Sequence, residues 1–207
     1  MIRTPFGGTG RKVLLSLGAL GVAGALAGMG TFATFTATTS ASQTLGSGTV
    51  IIALPTAGTA TNRLTIGATG LVPGDTVQRA VDLTNTGSQG LASITLATAA
   101  SPSTLLDTDA TNGLQMVVDR CSVAWAESGA SPAFTYTCGG TTTTPLTTRP
   151  VTQSGFTLLG LSALTAGSTD HLRVTLTLPS AAIDTLQGKS STITYTFNAT
   201  QRAGTSQ

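Results

Sequence analysis

From Thr192 to Ala199 the chain alternates strictly, with Ile193, Tyr195, Phe197 and Ala199 on one face and Thr192, Thr194, Thr196 and Asn198 on the other. Leu172, Val174, Leu176 and Leu178 alternate in the same way with Arg173, Thr175 and Thr177. Val77, Val81 and Leu83 alternate with Gln78, Ala80 and Asp82, and Val50, Ile52 and Leu54 make a further set. A period of two with one apolar face predicts half-buried antiparallel strands. Arg79 falls on the apolar face of its strand, where it needs a sheet edge or a partner. Weaker strand patterns lie at 61–66, 90–98, 114–120, 133–137 and 156–161. Between them stand turn signals, Pro73-Gly74-Asp75, Asn85-Thr86-Gly87, Asn112-Gly113 and Cys138-Gly139-Gly140.

About nine short strands with this punctuation predict an all-β fold, an antiparallel β-sandwich or jelly roll. Only Ser180–Gln187 reads as a short helix, with Ser180 to cap it and Gly188 to end it. The Thr141–Thr148 tract, interrupted by Pro145, reads as a solvated loop. Threonine, a β-branched strand former, supplies 38 of the 173 residues from 35 to 207, which strengthens the all-β reading.

The first 34 residues break this pattern. Arg3, Arg11 and Lys12 precede a charge-free run, Val13–Gly30, that contains five glycines. A permanent spanning helix needs about 20 strongly apolar residues, and glycine costs roughly 1 kcal/mol per helical position. A removable signal peptide is therefore expected over 1–34, with cleavage somewhere in 33–41. One β-sandwich domain, 35–207, would remain. It carries seven basic and eight acidic residues, so the basic balance of the whole chain belongs to the leader. Such a chain has no electrostatic footprint for nucleic acid or for an anionic membrane, and it would meet a membrane only through an uncleaved signal segment.

Cys121 and Cys138 are the only cysteines, and an even count in an exported chain predicts a disulfide, against the alternative of two buried thiols. Closing that loop would stabilise the fold by roughly 3 kcal/mol. Trp125, between them, is expected to pack against the bridge. No catalytic residue, cofactor or metal site is expected. His171 is the sole histidine, beside Asp170, and reads as a surface residue; three zinc ligands and a positioned base cannot be assembled around it. Asp107-Thr108-Asp109-Ala110-Thr111-Asn112-Gly113 has the look of a calcium loop. However, Val118 stands where a bidentate glutamate would be needed, so an Asx-rich turn explains it. Asn198-Ala199-Thr200 matches a glycosylation sequon inside a predicted strand and reads as polar-face residues.

Three stretches in chain order resemble the TasA/camelysin family of bacterial surface and matrix-fibre proteins. Gly30-Thr31-Phe32-Ala33-Thr34-Phe35, followed by Ser47-Gly48-Thr49-Val50, is similar to the family's processed N-terminus. Leu71-Val72-Pro73-Gly74-Asp75 leading to Asn85-Thr86-Gly87 is similar to its hairpin. Gln187-Gly188-Lys189-Ser190 followed by Phe197-Asn198-Ala199-Thr200-Gln201 is similar to its last strand. The region from about 100 to 160, with both cysteines, matches no part of that pattern and reads as a variable portion.

The resemblance implies a jelly-roll subunit freed by a dedicated signal peptidase, secreted to the extracellular matrix or cell surface, and able to join a head-to-tail homopolymer. The freed segment Phe35, Thr36, Ala37, Thr38, Thr39, Ser40, Ala41, Ser42, Gln43 would add as a strand to the next copy; a disordered N-terminus is the alternative. Backbone pairing at a sheet edge needs no side-chain code, and a link that does not close makes a filament. Two other functions stay open: a camelysin-like cell-surface metallopeptidase, and a monomeric surface-binding module using the 100–160 region.

Overall fold

The computed structural model describes residues 47–65 and 67–205, so the expected signal peptide, 1–34, and the segment 35–43 lie outside the described residues. In chain order the strands are β1 (Ile52–Ala53), β2 (Thr76–Asn85), β3 (Leu91–Ala100), β4 (Gln115–Cys121), β5 (Trp125–Ala130), β6 (Ala133–Cys138), β7 (Thr142–Pro150), β8 (Gln153–Thr157), β9 (Thr169–Thr177) and β10 (Ile193–Gln201). They form a five-stranded sheet ordered β1-β2-β9-β4-β7, a three-stranded sheet ordered β10-β3-β8, and a separate β5-β6 hairpin. Every pairing is antiparallel, as the alternation predicts.

The two larger sheets face each other across one apolar core. Val81, Leu83, Met116, Val118, Leu172 and Val174 of the five-stranded sheet meet Ile94 and Leu96 of the other, all buried. On β10 the same parity turns Ile193, Tyr195, Phe197 and Ala199 toward that core, leaving Thr194, Thr196, Asn198 and Thr200 exposed. Asn198 thus lies on the polar face expected for it.

The region 100–160 supplies β4 and β7 to one sheet and β8 to the other, and only the hairpin stands outside the sandwich. A disulfide joins Cys121 at the end of β4 to Cys138 at the end of β6, with the two Cα atoms 5.7 Å apart. Trp125 pairs with Cys138 across the hairpin. Its indole N–H donates to the His171 carbonyl at 2.9 Å, and the Arg173 guanidinium lies 4.3 Å over its ring. The expected packing of Trp125 beside the bridge is therefore shared with a cation.

Four local expectations are corrected. The Thr141–Thr148 tract is not a loop but most of β7. Its prolines are accommodated because β7 is an edge strand, where a missing N–H need not be replaced. The strand expected at 61–66 is reduced to a single bridge between Asn62 and Val81. The strand expected at 156–161 runs instead over Gln153–Thr157, after which Leu158 drops into the core. The helix expected at Ser180–Gln187 is one 3-10 turn, Asp184–Leu186, without a side-chain cap. So short a stretch cannot repay helix nucleation. Gly188 does end it, at φ +66°.

A four-residue helix, α1 (Leu105–Thr108), was not anticipated. It rests on a capping box in which Thr104 and Asp107 exchange side-chain bonds with each other's backbone. Asp107 is buried, which by itself pushes its pKa up. The hydroxyls of Ser103 and Ser191 and the Thr104 amide more than offset this and hold it below the usual carboxylate range. Beyond it, Asp109 accepts from the amides of Thr111 and Asn112, both at 2.9 Å, in the Asx turn expected for that segment.

Candidate functional site

Where described, parts of the family-like stretches meet: residues 49–51 reach the Asn85-Thr86-Gly87 turn, and Leu71 lines one groove with Gly188, Lys189 and Ser190. Thr49 and Ile51 lie against the Asn85-Thr86-Gly87 turn: the Ile51 carbonyl accepts from Thr86 at 3.0 Å and from Gly87 at 3.2 Å. Asn85 Oδ1 also accepts from Gly87 N, at 3.0 Å. A Cβ on Gly87 would come within 2.4 Å of the Thr49 carbonyl, so only glycine lets the two strands of chain approach. In the Pro73-Gly74-Asp75 turn, Gly74 at φ +97° donates to the Leu178 carbonyl at 2.8 Å, and Asp75 accepts from Val72 N at 2.9 Å. That turn sets the start of β2 against the end of β9.

Between β2 and β10 the two sheets do not close. A groove of about 760 Å³ opens there, lined by Leu64, Leu71, Val77, Leu176, Ile193 and Tyr195 among others. Arg79 reaches into it from β2. Only 4% exposed, it donates to the carbonyls of Gln78 (2.6 Å), Gly67 (3.1 Å) and Pro132 (3.1 Å). Burial lowers its pKa. The partner that the alternation required for Arg79 is thus a set of backbone carbonyls at the sheet edge.

Above the groove, β10 forms the edge of the three-stranded sheet, and among the described residues nothing pairs with its outer side. The Ser101 amide donates to the Thr192 carbonyl at 2.9 Å, which fixes the phase of the β3-β10 ladder. By alternation, the backbone N–H and C=O of Ile193, Tyr195, Phe197 and Ala199 point away from β3. The described chain begins beside the other end of this strand. Thr49 N donates to Ser88 Oγ at 2.9 Å, and the adjacent Gln89 takes the Arg202 guanidinium at 3.0 Å.

The β5-β6 hairpin sits over the outer face of β2. Glu127 accepts from Arg63 Nε at 2.9 Å and Nη2 at 2.7 Å, and from the Tyr136 hydroxyl at 2.9 Å. The Arg63 bond holds the Glu127 carboxyl below its ordinary range. Burial, aided by the bond to Glu127, pushes the Tyr136 hydroxyl up to about 12. Burial also raises Tyr195. Both phenols are therefore stabilised in the neutral form. That contribution is whole below the ordinary tyrosine value near 10 and is lost as pH rises through the folded value. These are the only tyrosines of the chain. An absorbance titration at alkaline pH should show no phenolate near pH 10 and a first step near 12, coincident with loss of structure. One tyrosine equivalent ionising near pH 10 with the fold intact would contradict this.

The donors for a metal do not come together. Among the described residues no three His, Cys, Asp or Glu side chains cluster. The remaining residues contain none of these four types, and both cysteines are committed to the disulfide. His171 is half-buried, not free on the surface as expected, and its Nδ1 lies 2.7 Å from Asp82 Oδ1. An Asp–His pair is two members of a hydrolytic triad. Among the described residues, however, no hydroxyl or thiol is hydrogen-bonded to its Nε2. The residues present do not fit a zinc centre.

What the local sequence pattern does not reveal is the groove itself. It forms only when Leu64 and Leu71, ahead of β2, meet Ile193 and Tyr195, more than 120 positions later. The residues 11–206 match the family model of the camelysin metallo-endopeptidases. No curated protein matches the chain.

Proposed function

This chain belongs to the TasA/camelysin family, and on that premise we propose that it is an exported structural protein whose mature form joins copies through strand addition. The segment 35–43 of one copy pairs along β10 of the next. A single observation carries the reading: a nine-residue strand with a free edge stands directly over an apolar groove, in the sheet that has three strands against five. Edges of that length and composition are normally covered or charged. Here the last acidic or basic side chain before Arg202 is Lys189, so the edge carries no charge of its own.

The donor fits in length and chemistry. Nine extended residues span about 30 Å, the length of β10. Phe35, Ala37, Thr39, Ala41 and Gln43 would share one face, which puts one aromatic and two small side chains over the groove. Removal of the leader by a signal peptidase is what frees this segment in the reading proposed. The family's name carries a metallo-endopeptidase activity, but the donor set of this chain supports no step through a metal, and none is proposed.

Mature protein beginning at residue 35 should form filaments in negative-stain microscopy. It should leave casein intact with or without a chelator. Soluble monomers at all concentrations, or chelator-sensitive cleavage that disappears in His171→Ala, would overturn the reading in favour of a binding module or a peptidase respectively.

A further inference from the structure

The groove has a second wall whose edge is also a strand. Over most of its length β2 is outermost in the five-stranded sheet, because β1 covers only Thr84 and Asn85. Yet between Gln78 and Asp82 three of its outward backbone groups are occupied. The Arg63 amide donates to the Ala80 carbonyl at 2.9 Å, the Asp82 amide donates to the Thr61 carbonyl at 2.8 Å, and Asn62 bridges Val81. The Gln78 carbonyl takes the Arg79 guanidinium. The Gln78 side chain is held as well, its Oε1 accepting from Tyr136 N at 3.2 Å.

The segment that provides this cover, Gly58–Leu64, is not a strand and has no ladder of its own. One carboxylate holds it. Glu127 binds Arg63 through two nitrogens and Tyr136 through its hydroxyl. Arg63 caps the Ala80 carbonyl through its amide, and Tyr136 holds the Gln78 side chain beside it. Arg63 is further fixed by the Phe134 ring, 4.6 Å below its guanidinium, and by the Gly58 carbonyl. The hairpin that carries Glu127, Phe134 and Tyr136 is tied to β4 by the disulfide.

We infer that Gly58–Leu64 is an edge guard latched by Glu127, and that β2 behind it is a second strand-acceptor edge kept closed to the extended segment of another copy. Only the identity of the occupant rests on the strand-addition reading; the latch rests on bonds within this chain. A linear filament needs one donor and one acceptor in each copy. Two open edges on one groove would let donors pair with either, giving branches or wrong registers. Val77 and Arg79 of β2 line the same groove as Ile193 and Tyr195 of β10, so both edges suit the same uncharged strand.

Residue-resolved amide exchange on mature protein kept monomeric, below its critical concentration for filaments and with the disulfide intact, tests this, with and without the synthetic peptide of residues 35–43. In Glu127→Ala the amides of Arg63 and Asp82 should exchange at least tenfold faster while those of Leu172 and Val174 keep their rates. Glu127→Gln, whose single carbonyl oxygen can still accept from Arg63 Nε and the Tyr136 hydroxyl while the bond to Arg63 Nη2 is lost, should show a smaller rise. The peptide should protect Tyr195 and Phe197 in both the unaltered protein and Glu127→Ala, but Asp82 only in Glu127→Ala. Unchanged exchange at Asp82, or an equal rise in all strands, overturns the latch. Protection of β10 without protection of Asp82 in Glu127→Ala overturns the second acceptor alone. A peptide that protects neither edge overturns the second acceptor and the strand-addition reading together.

Discussion

Mature protein lacking residues 35–44 is expected to form no filaments while melting at the temperature of the complete mature chain. The balance of terms explains why the loss should be complete. Four residues of β10 present eight outward backbone groups, and each hydrogen bond formed contributes about 1 kcal/mol net. Ordering a nine-residue donor costs about 1–2 kcal/mol per residue. Pairing alone therefore does not exceed the ordering cost, and the favourable balance must come from side chains meeting in the groove between Ile193, Tyr195, Leu71 and Leu176. Phe35 is the only large apolar side chain of the donor. Its burial contributes about 2 kcal/mol, so Phe35→Ser should weaken subunit association about 30-fold, read from the critical concentration for filaments. Filaments that persist after the deletion would remove the donor from consideration.

Asp170→Ala is expected to destabilise the sandwich by about 4 kcal/mol in urea unfolding, the largest effect anticipated for any single polar side chain. Asp170 has no exposed surface. Its carboxylate accepts from the amides of Ser162 at 2.9 Å and Ala163 at 2.7 Å. Arg120 Nε approaches it at 2.6 Å, off the hydrogen-bond axis, so this contact is an ion pair more than a directed bond. Arg120 also donates to the Gly160 carbonyl at 2.9 Å. One carboxylate thus pins the loop between β8 and β9 to the end of the core. Alanine would strand two amides and remove the counter-charge of Arg120, whereas Asp170→Asn keeps one acceptor and should cost about half as much. A loss below 1 kcal/mol in the alanine variant would mean that water replaces the carboxylate freely.

The strands legible in the sequence are those with one buried face. β9 and β10 alternate without interruption because their inner residues meet the core at every second position. β2 does so except at Arg79, and that exception marks the edge of the groove. β7 escapes local reading because threonine and proline dominate it and only Pro145 and Leu146 are buried; its strand character comes from pairing with β4, which local sequence does not display. Thr61–Arg63 has strand-like composition, but the Thr61 carbonyl and the Arg63 amide meet β2 in a single bridge that does not extend into a ladder. The disulfide follows from counting cysteines. The groove and the Glu127 latch do not follow from anything local. Arg63 and Glu127 are 64 positions apart, and their pairing depends on a hairpin that folds outside both sheets. His171 reads as a surface residue in the sequence because its partner, Asp82, is 89 positions away on a neighbouring strand.

Copies of this protein are held together, in the function proposed, by main-chain pairing on the last strand, with no reactive centre involved. Amide exchange on assembled against monomeric material examines that directly. Ile193, Tyr195, Phe197 and Ala199 should become strongly protected on assembly, while Thr194, Thr196 and Asn198, already bonded to β3, change little. Equal exchange of the first four amides in both states would show that the strand edge takes no part in holding the copies together.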